Sequence, residues 1–307
     1  MSDLKKKILK GDGDLLFYSF APPKTETEED RLQVISKKQL DRVNELDIDA
    51  LILYDIQDES HRTSEERTYK YKPTIRPEDY AKVYLKDLKT PKVIYKSIAD
   101  HTREMFGDWL HANKDLEHMV LVGASSKAQV EQTRFSLLDA YDVTQKFNSD
   151  ILLGGVAIPE RHAKSRKEHE RIVEKTRCGC NFFVSQCVYN INDTKNMLSD
   201  YYYHSLDNGG PMRPMIFTIS PCGSEMTLDF MKWLGIEVPI WLYNDLKHAK
   251  NILDTSVNMS VNIATEILEF ARTKQIPVGF NIESISIKKD EIDAATEILL
   301  KISELMR

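Results

Sequence analysis

The 307-residue sequence has no long apolar run and no excess of basic residues, and its first residues do not predict a signal segment. A membrane-spanning helix needs about 20 consecutive apolar residues, and no stretch approaches that length. The opening residues, MSDLKKKILKGDGD, are charged and lack the apolar region of a signal peptide. A net charge of −6 offers no basic surface to attract nucleic acid or acidic lipid. These absences predict a cytoplasmic protein that binds neither nucleic acid nor membrane.

Cysteine is also scarce. The four cysteines are Cys178, Cys180, Cys187 and Cys222. Four in a chain of this length do not make a disulfide framework, so we expect reduced thiols.

Eight short apolar runs recur along the chain, and helical patterns separate them. The runs are LLFYSF (15–20), ALILYD (50–55), KVIYKS (92–97), HMVLVG (118–123), ILLGGVAI (151–158), FFVSQCVY (182–189), MIFTIS (215–220) and VGFNIES (278–284). Most are apolar on both faces, which is typical of parallel strands buried between a barrel interior and a layer of helices. The pattern predicts an α/β fold, a single (β/α)8 TIM barrel domain spanning residues 1–307.

One connection is much longer than the others. Residues 56–77, which follow Asp55, are charged and show no apolar periodicity. After the second strand of a barrel, such a loop lies at the C-terminal mouth, where active sites of this fold form. Composition alone fits a solvated surface loop equally well.

Residues 154–186, GGVAIPERHAKSRKEHERIVEKTRCGCNFFVSQ, read as strand, loop, helix and strand. The loop carries the motif Pro-Glu-x-His at 159–162, and the second strand ends in Ser-Gln at 185–186. Ser165, with Glu168 three residues later, predicts a capping box that starts the intervening helix.

These motifs, with FYSFAPPKTE at 17–26, resemble the methylenetetrahydrofolate reductase family, whose members carry PExH and FEFFPPKTE. The resemblance implies a (β/α)8 oxidoreductase of one-carbon metabolism and methionine biosynthesis. It would reduce 5,10-methylenetetrahydrofolate to 5-methyltetrahydrofolate, with hydride from reduced flavin or directly from NADH or NADPH. It also implies FAD as a cofactor, a tetrahydrofolate derivative as partner and a homo-oligomeric state.

The resemblance assigns roles to particular residues. Gln186 would contact the folate pterin, because a side-chain amide donates and accepts hydrogen bonds at once. By position in the family motifs, Tyr95 and Glu225 would also face the substrate. His162, Glu160 and Lys175 would contact the flavin, and Ala124 stands at a further flavin position.

Several family residues are replaced where the chemistry would occur. Ser19 takes the place of the catalytic glutamate of FEFFPP, and serine has no useful acidity near neutral pH. Ala124 replaces an aspartate near flavin and pterin, and Tyr95 replaces a histidine. These changes predict that FAD binds weakly or not at all. They leave Glu283 and Asp55, at the ends of the eighth and second strands, as candidate acids.

Two other functions remain open from the sequence. The barrel could bind folate without reducing it and act beside a methyltransferase. Alternatively, Cys187 and Cys222 follow the sixth and seventh strands, where zinc-dependent methyltransferases on barrels place thiolates. The cysteine spacing matches no compact zinc motif, which favours the reductase.

Overall fold

The computed structural model describes residues 3–58, 67–123 and 134–307. Within these ranges the chain forms eight strands: β1 Leu16–Phe20, β2 Ala50–Leu53, β3 Lys92–Ser97, β4 His118–Val122, β5 Leu152–Ala157, β6 Phe182–Cys187, β7 Met215–Ile219 and β8 Val278–Glu283. Each lies inside one of the eight predicted apolar runs. All neighbouring strands pair in parallel, and β8 pairs with β1 to close the ring. The predicted (β/α)8 barrel is therefore confirmed.

Twelve helices are present in the described ranges: α1 Asp3–Lys10, α2 Glu29–Glu45, α3 Pro77–Val83, α4 Arg103–Ala112, α5 Leu137–Phe147, α6 Pro159–Ser165, α7 Glu168–Arg177, α8 Ile191–Asn208, α9 Glu225–Trp233, α10 Ile240–Lys247, α11 Ile252–Lys274 and α12 Lys289–Met306. One or more helices follow each of β1 to β8. No helix in the described part of the chain is long and apolar enough to cross a bilayer.

Two hydrophobic clusters divide the core. The larger one lies between the strands and the helices, and it includes Tyr18, Leu51 and Phe280. The smaller one fills the barrel interior with Phe17, Ile52, Val93, Val120, Leu152, Phe182, Val184 and Ile216. Side chains alternate across a strand, so every second residue points into the barrel.

Helix α1 belongs to the interior cluster. Its Leu4 and Ile8 are buried together with Leu15 and Ala50, which lie where β1 and β2 begin. This helix therefore closes the N-terminal end of the barrel. The opposite, C-terminal end stays open.

Alternation also fixes which residues face the C-terminal end. Counting in steps of two from Phe17, Ile52 and Val184 places Ser19, Tyr54 and Gln186 inward, at the top of their strands. The same count on β7 and β8 places Thr218 and Glu283 there. These five positions at the top of their strands are thus polar, while most inward residues below them belong to the apolar interior cluster.

Candidate functional site

The C-terminal ends of the strands surround a cavity of about 720 Å³. Its base is formed by strand-end residues, among them Tyr54, Tyr95, Gln186, Thr218 and Glu283. This is the size range of a small-molecule site, and a few polar groups converge in a mainly apolar wall. The cavity lies where active sites of TIM barrels form.

A hydrogen-bonded network lines the base of the cavity around Tyr54. The Tyr54 hydroxyl accepts from Ser19 Oγ at 3.2 Å and from Asn281 Nδ2 at 3.0 Å. Asn281 Nδ2 also lies 3.2 Å from Thr218 Oγ1. Burial raises the pKa of Tyr54 well above its ordinary value, so the phenol stays protonated.

Glu283 stands next to Ser19 because their strands pair. The two residues are Cα partners in the β1–β8 register, and Ser19 Oγ lies 3.5 Å from Glu283 Oε2. Burial raises the pKa of the Glu283 carboxyl, and hydrogen bonds from Tyr54 and Ser19 offset part of that rise. The site therefore holds a carboxyl group that gives up its proton less readily than one in water.

Asp55 lines the same cavity, but its carboxylate is already engaged. Its Oδ2 accepts from the backbone nitrogen of Ser97 at 2.9 Å, and its Oδ1 accepts from Gln57 Nε2 at 2.7 Å. Burial raises the pKa of Asp55, and the hydrogen bond from Ser97 opposes that rise. Asp55 thus anchors the start of the long loop to β3.

Gln186 projects into the cavity from β6. Its Nε2 donates to the carbonyl oxygen of Leu234 at 3.1 Å, just after α9. This contact fixes the plane of the amide. Among the described residues, no further partner engages its second N–H or its amide oxygen, and a side-chain amide has two donors and one acceptor oxygen.

Three of the four residues that the resemblance assigns to flavin are described, and these three do not form one surface. Lys175 lines the cavity, but its Nζ donates to the carbonyl oxygen of Val156 at 2.5 Å, and burial lowers its pKa. His162 and Glu160 are buried outside the cavity lining, and His162 Nε2 lies 3.2 Å from Asp200 Oδ2. Burial raises the pKa of Glu160 to about 7. The three residues therefore do not fit a single bound flavin at the cavity.

The remaining predicted site residues are Ala124, Glu225 and Tyr95. Ala124 lies outside the described residues. Glu225 is exposed on the first turn of α9 and is not part of the cavity wall. Tyr95, by contrast, lines the base and packs edge-on against Tyr54, with 4.9 Å between ring centroids.

The cysteines show no arrangement for zinc. All four are free, and burial raises the pKa of the Cys222 thiol to about 12 and that of Cys187 well above its usual value. Cys187 lines the cavity and Cys222 does not. In the described part of the chain, the group of three potential metal ligands is His162, His169 and Asp200, which includes no cysteine.

Sequence reasoning missed several cavity residues. Tyr54 and Thr218 follow from strand alternation once the barrel interior is known. Phe230 and Trp233, on α9, form an aromatic wall, with 5.9 Å between their stacked rings. Arg67, in the loop after β2, carries no sequence signal at all.

Comparisons with a family model and with solved structures both found matches. A family model described as methylenetetrahydrofolate reductase matches residues 121–285. A solved structure of an uncharacterized protein from Clostridium thermocellum, which binds two copies of 5-methyl-5,6,7,8-tetrahydrofolic acid, is 43% identical with a TM-score of 0.86 over 99% of each chain. A GH113 β-1,4-mannanase shares the fold alone, at 13% identity and a TM-score of 0.53, over 95% of this chain and 99% of that one. The curated proteins give no match. The chain belongs to the methylenetetrahydrofolate reductase family.

Proposed function

We propose that this chain binds a reduced folate in the cavity and reduces its methylene form, with Glu283 as the proton donor. The observation that carries the proposal is the position of the Glu283 carboxyl beside Ser19, where the family has its catalytic glutamate. The relative that binds 5-methyltetrahydrofolic acid supports the folate part, because its similarity extends over the whole chain.

Gln186 is proposed to hold the pterin. The edge of a pterin presents an amino group beside an oxo group, and a side-chain amide complements both. The bond from Gln186 Nε2 to Leu234 orients the amide before the ligand arrives, so little ordering is needed on binding. Tyr95 and Thr218 line the same wall and would bound the ring.

Glu283 is proposed to open the folate's five-membered ring. The methylene carbon bridges two nitrogens, and protonating the leaving nitrogen breaks one C–N bond to give an iminium ion. A carboxyl group suits this step when its pKa is raised toward the working pH, as burial does here. Tyr54 and Ser19, which hydrogen-bond to the carboxyl, would hold it in position.

The iminium carbon then accepts a hydride. A bound reduced nicotinamide, NADH or NADPH, would supply it. Direct transfer from the nicotinamide is favoured over transfer through a bound flavin. Two of the residues that the resemblance assigns to flavin, His162 and Glu160, are buried and do not line the cavity.

The test is a turnover assay with methylenetetrahydrofolate and each nicotinamide, with and without added FAD. We expect Glu283→Gln to slow turnover by about 10²- to 10⁴-fold, the usual contribution of a positioned acid, with folate affinity nearly unchanged. A matched control is Glu297→Gln, which removes an exposed carboxylate on α12. It should keep the parent rate.

A double variant sharpens the test. Ser19→Glu with Glu283→Ser moves the carboxyl across the β1–β8 pair and preserves composition. It should recover part of the rate that Glu283→Gln loses. If folate binds but no condition gives turnover, the reductase proposal is wrong. The barrel would then be a folate-binding protein that works beside a methyltransferase, the second candidate, which the folate-binding relative also fits.

A further inference from the structure

Arg67 occupies an aromatic cage at the wall of the cavity. Its guanidinium carbon lies 5.0 Å from the ring centroid of Trp233, 5.4 Å from that of Tyr71 and 5.6 Å from that of Phe230. Tyr69 packs edge-on against Phe230, with 5.1 Å between centroids. All three arginine contacts are within the range of a cation–π interaction. The cage therefore holds a charged group in a fixed place beside the ligand space.

Two nitrogens of this guanidinium have no hydrogen-bond partner among the described residues. Its Nε and Nη1 are buried, and neither has a hydrogen-bond partner in the described residues. Burying a charged donor without a partner is costly, so such a group calls for an anionic acceptor. The rings pack against the guanidinium while its N–H groups spread in its plane, the geometry in which arginine grips a carboxylate with two parallel hydrogen bonds.

Other arginines at the cavity differ in this respect. Arg161 and Arg171 each lie 3.5 Å from Oε2 of Glu168, so a protein carboxylate already compensates their charge. Arg67 makes no such ion pair with any described residue. Of these three cavity arginines, it is the one that no carboxylate of the described residues pairs with, which favours it as the partner of a charged ligand.

Arg67 and Gln186 meet the same short segment of chain. Gln186 donates to the carbonyl of Leu234, and Arg67 packs on the ring of Trp233, the preceding residue. A ligand whose head group engages Gln186 therefore has Arg67 on the same wall. A reduced folate has that shape, with a pterin at one end and a glutamyl group carrying carboxylates at the other.

We propose that Arg67 binds a carboxylate of the folate's glutamyl group and thereby selects folates over pterins that lack this tail. This rests on the proposed folate binding. The cavity would then bind both ends of its ligand, the pterin through Gln186 and the glutamyl tail through Arg67.

The test compares two ligands on four proteins by calorimetry under reducing conditions. The ligands are 5-methyltetrahydrofolate and a tetrahydropterin without the aminobenzoyl-glutamate tail. The proteins are the parent, Arg67→Met, Arg67→Lys and the control Arg103→Met. Arg103 is also near a ring, Phe135 at 5.9 Å, but it already pairs with Asp139 at 2.9 Å and does not line the cavity.

We expect the parent to bind the folate at least tenfold more tightly than the pterin. Arg67→Met, which keeps an apolar stem against the rings, should weaken folate binding by about 10- to 100-fold and leave pterin binding unchanged. The folate affinity of Arg67→Lys should lie between those of the parent and Arg67→Met, since an ammonium keeps the charge but not the paired donors. Arg103→Met should match the parent for both ligands.

Other outcomes overturn the proposal in distinguishable ways. Unchanged folate affinity in Arg67→Met, with folate still bound, overturns the role of Arg67 and leaves folate binding intact. An effect of Arg67→Met on NADPH binding alone would assign the cage to a nicotinamide phosphate instead. A parent that binds neither ligand overturns both this proposal and the proposed function. If Arg67→Met does not fold, the parent's preference between the two ligands decides, and equal affinities overturn the proposal.

Discussion

Replacing Gln186 by leucine should separate its structural contact from its proposed contact with folate. The substitution keeps a side chain of similar size and removes the amide. In the free protein, the Leu234 carbonyl loses a hydrogen bond of 3.1 Å, which costs about 0.5–1.5 kcal/mol of unfolding free energy. In the complex, the pterin edge loses its partner as well. That loss costs about 1–3 kcal/mol, or roughly a 5- to 150-fold higher Kd.

The assay pairs calorimetry with 5-methyltetrahydrofolate and urea unfolding of the free protein. Gln39→Leu is the matched control, because Gln39 Oε1 accepts from the buried Tyr80 hydroxyl at 2.6 Å, away from the cavity. We expect this control to lower stability by a similar amount and to leave Kd unchanged. A Gln186→Leu protein that loses stability but binds folate as tightly as the parent would show that the amide serves the fold alone.

Two further predictions concern stability. Burial raises the pKa of Glu283 in the folded state, so as pH rises above about 4.5, the ordinary value for glutamate, the unfolded chain loses this proton first and stability falls. Glu283→Gln should therefore raise the melting temperature more at pH 7 than at pH 4, and an equal shift at both would contradict the burial argument. An added methyl group at Gly279 would lie 2.3 Å from the Leu15 carbonyl oxygen, whereas one at Gly107 meets nothing within 4 Å. In urea unfolding, Gly279→Ala should thus lower the free energy of unfolding by about 1–3 kcal/mol, and Gly107→Ala should raise it by about 0.5–1 kcal/mol. Equal effects of the two substitutions would refute the clash at Gly279.

The strands are predictable because burial on both faces requires an apolar sequence. A parallel strand inside a layer of helices must be apolar at nearly every position, and each predicted run contains one observed strand. The location of candidate residues at strand ends is predictable for a related reason. The sequence predicts Gln186, Asp55 and Glu283 at the mouth, because the carboxyl ends of all eight strands meet there, and all three line the cavity.

Residues on helices and loops were harder to place. The predicted capping box at Ser165 is wrong, because Ser165 Oγ donates to the Arg161 carbonyl and ends α6 instead. Arg166 then adopts a left-handed conformation, with φ of 53°, and a separate helix begins at Glu168. Such a break depends on local backbone geometry that the helical pattern does not encode.

The cage around Arg67 was beyond prediction for a different reason. The loop after β2 has no periodicity, and Trp233 and Phe230 lie more than 150 residues further along the chain. Their aromatic character fits a core helix just as well. Only the fold brings the three together.

Barrel closure has a consequence for where in the sequence a functional group at the mouth can come from. β1 and β8 are the two ends of the strand order, yet they are neighbours in the ring, so Ser19 and Glu283 touch although 264 residues separate them. Two neighbouring strands of a closed barrel end side by side at the mouth, so a functional group needed there can come from either strand. If Glu283 acts as proposed, its carboxyl stands on the strand next to the one where the resemblance places the family's glutamate, about 4.8 Å away across the ladder. A search for the linear motif would miss a carboxyl on β8, although that position is next to Ser19 in the barrel.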